Sequence, residues 1–197
     1  MKRHAPATAR NRQPILDVLR PRLPAEGVVL EIASGSGEHI VHFAAALPGL
    51  VFQPSDPNAE ARASIDDWIQ SEGLGNVRPA LALDATGDAW PIERADAVLC
   101  CNMIHIAPWE AAVGLISGAA RILAEGGILY LYGPYRRDGR HTAPSNEAFD
   151  RDLRQRNTAW GVRDLETVAK IAAAQGFTSP EIIDMPANNL SLLFKRT

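Results

Sequence analysis

Apolar positions along this chain follow two alternating rhythms. Short continuous runs at residues 28–32, 50–53, 77–83, 95–101 and 128–132 read as strands covered on both faces. Between them the apolar residues return at helical spacing. Ile15, Leu16 and Leu19 predict a helix over residues 11–20, stopped by Pro21 and Pro24. Ile65, Trp68 and Ile69 predict another over 59–70, closed by Gly73 and Gly75. Further helices fit residues 38–47, 109–123 (ended by Gly126-Gly127) and 165–175. Strands separated by helices imply right-handed crossovers and a parallel sheet. The end of the chain breaks the alternation: residues 176–184 and 190–195, joined by a short Pro-Ala-Asn-Asn turn, form a β-hairpin. The expected architecture is a Rossmann-like α/β fold. Its sheet is mostly parallel and seven-stranded, with helices on both faces and a C-terminal antiparallel hairpin.

Composition narrows the function. With 197 residues, 46% of them hydrophobic, the chain fits a single domain over 1–197 with a sizeable core. No apolar run reaches the roughly 18 residues of a membrane span, so no membrane partner is expected. The start, Met1-Lys-Arg-His-Ala-Pro6, is basic without an apolar stretch, which argues against a secretory signal. A net charge of −3 with no basic run argues against a nucleic-acid partner. Cys100 and Cys101 are adjacent in an apolar run and read as two small strand residues facing opposite sides. They suggest a reducing, cytoplasmic compartment and no metal site.

The chemistry concentrates after the first strand. Ala33-Ser-Gly-Ser-Gly37 has no bulky side chain and leads into a helix, so a ligand can approach backbone N–H groups at a positive dipole end. A dinucleotide fingerprint needs a third glycine where Ile40 stands, and no Walker run exists. The acidic-x-Gly-x-Gly-x-Gly loop of class I S-adenosylmethionine (SAM) methyltransferases is matched by Glu31, Ala33, Gly35 and Gly37, with alanine in the first glycine place. Asp56 ends the second strand 19 residues after Gly37, where a carboxylate can accept both hydroxyls of a ribose. It is equally placed to cap the helix that follows Pro57. Asp84 ends the third strand.

The whole chain resembles a class I SAM-dependent methyltransferase. More narrowly, it is similar to the methyltransferase-like protein 26 family. That likeness is carried by Arg10-Asn-Arg-Gln-Pro-Ile-Leu16, Val29-Leu-Glu-Ile-Ala-Ser-Gly-Ser-Gly-Glu-His39, Phe52-Gln-Pro-Ser-Asp56, Asn102-Met-Ile-His105, Leu131-Tyr-Gly-Pro-Tyr135, Asn146-Glu-Ala-Phe-Asp150 and Trp160-Gly-Val-Arg-Asp164. The resemblance implies a SAM cofactor and methyl transfer, with no defined acceptor. It places Asp84 at the adenine amino group and Ala85 against the adenine face. The expected cofactor residues are Glu31, Ala33, Ser34, Gly35, Gly37, His39, Asp56, Pro57, Asp84, Ala85, Asn102, Met103 and Ile104.

The acceptor half is less specific. Segment 102–105 follows the fourth strand at the crevice where such folds bind ligands. There His105 is a candidate proton acceptor, or else a hydrogen-bonded loop histidine. Residues 133–144 read as a polar loop in which Tyr135 is a second catalytic candidate. Ser145 looks like the start of a capped helix, with Asp150 and Arg154 four apart on it. Substrate candidates are Arg10, Asn11, Tyr135, Asn146, Arg154, Trp160 and Arg163, with Arg163 suited to an anionic group. Asp164 alternatively caps the following helix. Residues 1–24 are expected to form an N-terminal helical lid and 134–164 an acceptor-site insertion. The favoured acceptor is a small molecule. No run of the amide- or base-amine-methylating type (Asn-Pro-Pro-Tyr) follows the fourth strand. The rival class is a noncatalytic protein that binds SAM or S-adenosylhomocysteine (SAH) and acts through a partner.

Overall fold

Alternation of buried strands with amphipathic helices produces two cores, one on each face of a single sheet. The computed structural model describes residues Met1–Thr197. Strands β1 (Gly27–Ile32), β2 (Leu50–Pro54), β3 (Ala95–Cys101), β4 (Leu123–Gly133), β8 (Glu181–Met185) and β9 (Asn189–Lys195) form a sheet of order β2-β1-β3-β4-β9-β8. β2, β1, β3 and β4 run parallel. β9 is antiparallel to both β4 and β8. Val29, Phe52, Ala97, Leu99 and Tyr130 face helices α1 (Pro6–Leu19), α2 (Glu38–Ala46) and α3 (Ala59–Glu72). Leu30, Ile32, Val98, Leu129 and Leu131 face α4 (Trp109–Ile122) and α6 (Leu165–Ala174). No helix is long and apolar enough to cross a membrane.

The sheet is mixed and has six strands, where a mostly parallel seven-stranded one was expected. The missing strand is the segment from Val77 to Leu83. It lies beside β2 but makes only two isolated parallel bridges, Phe52–Val77 and Ser55–Leu81. Two prolines explain this. Neither Pro54 nor Pro79 has an N–H for a ladder. Gln53 compensates, donating from Nε2 to Pro79 O at 2.8 Å and to Pro54 O at 3.1 Å.

Other boundaries moved for local reasons. α1 begins at Pro6 rather than Asn11, because proline suits a first helical position. α4 ends at Ile122, and Leu123 already pairs with Ala95, so Gly126-Gly127 lies within an irregular start of β4 rather than capping the helix. The expected loop 133–144 is a hairpin, β5 (Tyr135–Arg137) and β6 (Arg140–His141), turned at Asp138-Gly139 with both residues at positive φ. Asp-Gly is among the strongest hairpin signals in any sequence. β7 (Arg163–Asp164) adds to β5 as a third, parallel strand.

Candidate active site

The loop after β1 closes through alternate left-handed residues. Ala33, Gly35 and Gly37 have φ of 55°, 60° and 94°. The alanine in the first glycine place therefore carries a strained backbone, at a cost of roughly 1–2 kcal/mol. Asp56 holds the loop to β2: Oδ2 accepts from Gly35 N at 3.0 Å, and Oδ1 from Asn58 N at 2.9 Å. The cap of α3 is Asn58, not Asp56, since its Oδ1 accepts from Glu60 N and Ala61 N. A carboxylate has about four lone-pair sites, so Asp56 keeps capacity for a ligand hydroxyl. Ser34 N donates to Ser55 O at 2.8 Å, a second tie between loop and β2. The N-terminal arm closes over the same loop, Ala5 N donating to Glu38 Oε2 at 2.6 Å.

Behind the loop lies a buried polar nest that spacing alone does not reveal. Glu31, His39 and Cys101 each bring a donor atom within 4.8 Å of the others. Glu31 is 1% exposed and its Oε2 has no partner. Burial pushes its pKa up to about 7, opposed by the Ser34 hydrogen bond and aided by the Asp56 charge. His39 bonds Asn11 Oδ1 through Nε2 at 2.8 Å. Burial lowers its pKa to about 4, so it is neutral near pH 7. Burial also raises the Cys101 thiol well above its ordinary value. This is a desolvated cluster that lines neither cleft at the carboxyl ends of the strands, and its unpartnered Glu31 Oε2 is suited to a cationic group.

Two clefts open at the carboxyl ends of the parallel strands. The first, about 450 Å3, is lined by Ala33, Pro57, Asp84, Ala85, Met103, Ile106 and Trp160 among others. Asp84 is exposed there. Its Oδ1 accepts from Thr86 N and Thr86 Oγ1, leaving Oδ2 free. Gly114 makes this wall possible: a Cβ on it would collide with Ala85 O, so only glycine lets α4 pass this close. Ile104 does not reach the cleft. It is 2% exposed, packed in the core, and Ile106 takes the lining position instead.

The second cleft, about 590 Å3, shares Ile106 with the first and includes Asn11, Asn102, Tyr132, Asn146 and Phe149. Asn102 sits at φ 63°, with Met103 next to it facing the first cleft. The hairpin turn residues Asn188 and Asn189 and helix α5 (Pro144–Arg156) also wall this cleft. The sequence pointed to Asn146 on α5 but missed Phe149, Asn188 and Asn189, because the terminal hairpin and α5 meet only in the folded chain.

Several acceptor candidates lie elsewhere. His105 and Tyr135 are each 0% exposed, in edge contact 4.9 Å apart, and neither lines these clefts. Burial and the Arg163 charge lower the His105 pKa to about 3. Arg163 is consumed by backbone: Nε donates to Ile104 O, and Nη2 to Ala107 O and Ala159 O. It is a clamp on segment 104–107 rather than a free anion receptor. Arg10 is exposed and lines neither cleft. Ser145 is not the cap of α5; that position is Ala143. Asp164 is at the cap position of α6 but donates nothing to capping; its carboxylate pairs with Arg136 at 2.7 Å.

Arg154 pairs with Asp150 as spacing suggests, but the pair is more than helix support. Asp150 Oδ1 also accepts from Val162 N at 2.7 Å, and Oδ2 lies 3.4 Å from His141 Nε2. One carboxylate thus joins α5, β6 and the turn before β7. Asp150→Ala is expected to cost about 2–3 kcal/mol, the usual penalty for orphaning a buried network. Urea titration of the variant checks it; a change below about 0.5 kcal/mol, the range of ordinary surface substitutions, contradicts the joint.

The strand order reverses between β2-β1 and β3-β4, and both clefts sit at that reversal, where open α/β sheets bind ligands. This is an α/β Rossmann-like fold, shared with the solved methyltransferases on which the chain superposes. An O-methyltransferase family protein from Burkholderia thailandensis superposes with a TM-score of 0.82, at 20% identity, over 97% of this chain and 57% of that one. Human N-acetylserotonin methyltransferase in complex with SAM superposes with a TM-score of 0.79, at 14% identity, over 96% of this chain and 52% of that one. The chain belongs to the family described as "Protein of unknown function (DUF938)", whose model matches residues 2–196. Among curated proteins it is similar to a tRNA (guanine-N(7)-)-methyltransferase of Rhodopseudomonas palustris (strain BisB5), 32% identical over 113 residues, 53% of this chain and 43% of that protein. The chain spans less than half the length of the curated relatives it matches.

Proposed function

We propose that this protein is a SAM-dependent methyltransferase acting on a small-molecule acceptor. The observation that carries this reading is the loop Ala33–Gly37, held in left-handed turns and braced by Asp56, opening into the cleft that ends at Asp84. The residues fit the cofactor. Ala33, Ser34, Gly35 and Gly37 would pass beneath it, Asp56 would take the ribose hydroxyls, and Asp84 Oδ2 would take the adenine amino group. Pro57, Ala85 and Met103 would hold the adenine faces. The orphaned Glu31 oxygen, backed by His39, would meet the ammonium of the methionine end. Asn102 stands between donor and acceptor. We keep residues 1–24 as a lid, since Ala7 and Asn11 line the second cleft, and 134–164 as the acceptor insertion. The likeness to the methyltransferase-like protein 26 family fits this reading.

Bound SAM would supply an electrophilic methyl group, and its transfer to an oxygen or nitrogen of the acceptor would leave SAH. The chain's task is to align the nucleophile and exclude water. The acceptor's proton passes to solvent, because neither cleft wall holds a histidine. His105 and Tyr135 then act as positioning residues behind Arg163 and segment 104–107. The tRNA methyltransferase relatives make RNA the competing acceptor. The net charge of −3 and the absence of lysine and arginine in both clefts favour the small molecule.

A second reading, noncatalytic SAM or SAH binding, draws on that same lack of a histidine in the clefts. Calorimetric titration tests the common part. SAM and SAH should bind the native protein, and Asp84→Ala should weaken both about tenfold by losing one hydrogen bond to a charged acceptor. Unchanged affinity in the variant removes Asp84 from the site. No binding to folded protein removes the methyltransferase reading.

A further inference from the structure

The second cleft states what kind of acceptor it takes. None of its twelve lining residues is Asp, Glu, Lys, Arg or His, and five are asparagines. An amide offers two N–H donors and an oxygen. Most of the donors here are turned onto the protein itself. Asn146 Nδ2 donates to Thr142 Oγ1 at 3.0 Å and to Asn188 O at 2.8 Å. Asn188 Nδ2 donates to Ser145 Oγ at 3.0 Å, and Asn189 Nδ2 to Pro186 O at 3.1 Å. The side-chain oxygens of Asn146 and Asn188 have no protein partner, and neither is sealed from solvent. The rim that presents Asn188 is costly to hold: Ala187 and Asn188 are consecutive non-glycine residues at φ 58°. Such backbone strain concentrates where a fixed geometry serves a ligand. Phe149 and Ile106, both exposed, supply apolar surface in the same cleft.

Resting on the methyltransferase reading, we infer that the acceptor is an uncharged, ring-bearing small molecule that presents hydroxyl or N–H donors. Those donors meet the Asn146 and Asn188 oxygens, and the ring lies against Phe149 and Ile106. A phosphate or carboxylate would find the Asn102 amide but no cation to offset its lost water, so the cleft disfavours it. An ammonium would find oxygens but no counter-charge.

The test uses the full chain saturated with SAH, titrated by calorimetry and ligand-observed NMR. The probes are catechol, phenyl phosphate, benzoate and benzylamine. Catechol should bind at least about tenfold tighter than each charged probe, since an unpaired charge in a cleft is costly. Asn188→Asp keeps the size and tolerance of positive φ while adding a charge, and should raise benzylamine affinity about tenfold. The inference is overturned by equal or tighter binding of any charged probe, by no binding of catechol, or by an unchanged profile in folded Asn188→Asp. It is also overturned by methyl incorporation into bulk tRNA above that of heat-inactivated protein. Failure to bind SAH with the catechol preference intact would remove the methyltransferase reading and leave the cleft chemistry standing.

Discussion

Replacing Gly37 with alanine should remove about 2–5 kcal/mol of stability and weaken SAH binding at least about tenfold. Gly37 has φ 94°, and a Cβ there would stand 2.8 Å from Ile65 Cα, a backbone atom of α3 that cannot swing aside. Overpacking against backbone costs roughly 1–3 kcal/mol. The left-handed conformation adds roughly 1–2 kcal/mol. A domain's whole margin is about 5–15 kcal/mol. The variant should therefore show a clearly lower urea midpoint, and whatever folds should bind SAH at least about tenfold more weakly, because the loop is displaced from Asp56. An unchanged midpoint with intact SAH binding would mean that the loop and α3 are not in this close contact. Gly35, at φ 60°, has only Ala33 O near its Cβ position, at 3.9 Å, and Gly35→Ala should cost less.

The second large effect runs in the opposite direction. Glu31→Gln should stabilise the protein by about 3 kcal/mol at pH 8 and change little at pH 4. The folded carboxyl has its pKa near 7, above the ordinary 4.5, chiefly through burial. Below pH 4.5 it is protonated whether the chain is folded or not, and the penalty is absent. Between pH 4.5 and 7 the unfolded chain releases the proton first, so stability falls as pH rises. Above 7 the full penalty is present, and glutamine removes it. The two histidines act with the other sign. His39 and His105, lowered to about 4 and about 3, lose their contribution as pH falls below 6.5. The limbs overlap between pH 4.5 and 6.5, where two histidines outweigh one carboxyl, so native protein should be most stable near pH 6.5 and the variant should keep only the acid limb. Denaturation at pH 4, 6 and 8 checks this, and a variant less stable than native at pH 8 contradicts it. In the proposed binding mode the same substitution should weaken SAH at least about tenfold, by removing the charge that would meet its ammonium. Retaining a destabilising carboxylate makes sense only where a ligand uses it.

What could be read in the chain and what could not divide along a physical line. The strand–loop–helix around Ala33–Gly37 was legible because backbone sterics demand small residues in consecutive order. The same holds for the apolar runs of β1, β3 and β4 and the hairpin at the end. Asp138-Gly139 is equally legible as a hairpin turn, although the polar run around it reads as loop. The segment 77–83 misled because its apolar content suits a strand while Pro54 and Pro79 remove the hydrogen bonds; composition and ladder chemistry pointed opposite ways. Ile104 and Ile106 differ by two residues, yet one is core and the other lines both clefts, a choice made by the short helical turn at 103–105.

Local order therefore decided the class of fold, the nucleotide-type loop and the chain order of Glu31, Asp56 and Asp84 around it, since each depends on residues near one another in the chain. Folding decided the rest. It brought Glu31, His39 and Cys101 together from three elements. It tied Arg163 to carbonyls rather than leaving it free, and it set Asn146 from α5 beside Asn188 from the terminal hairpin. Those contacts depend on distance through space, which hydrophobic and polar spacing along a chain does not encode.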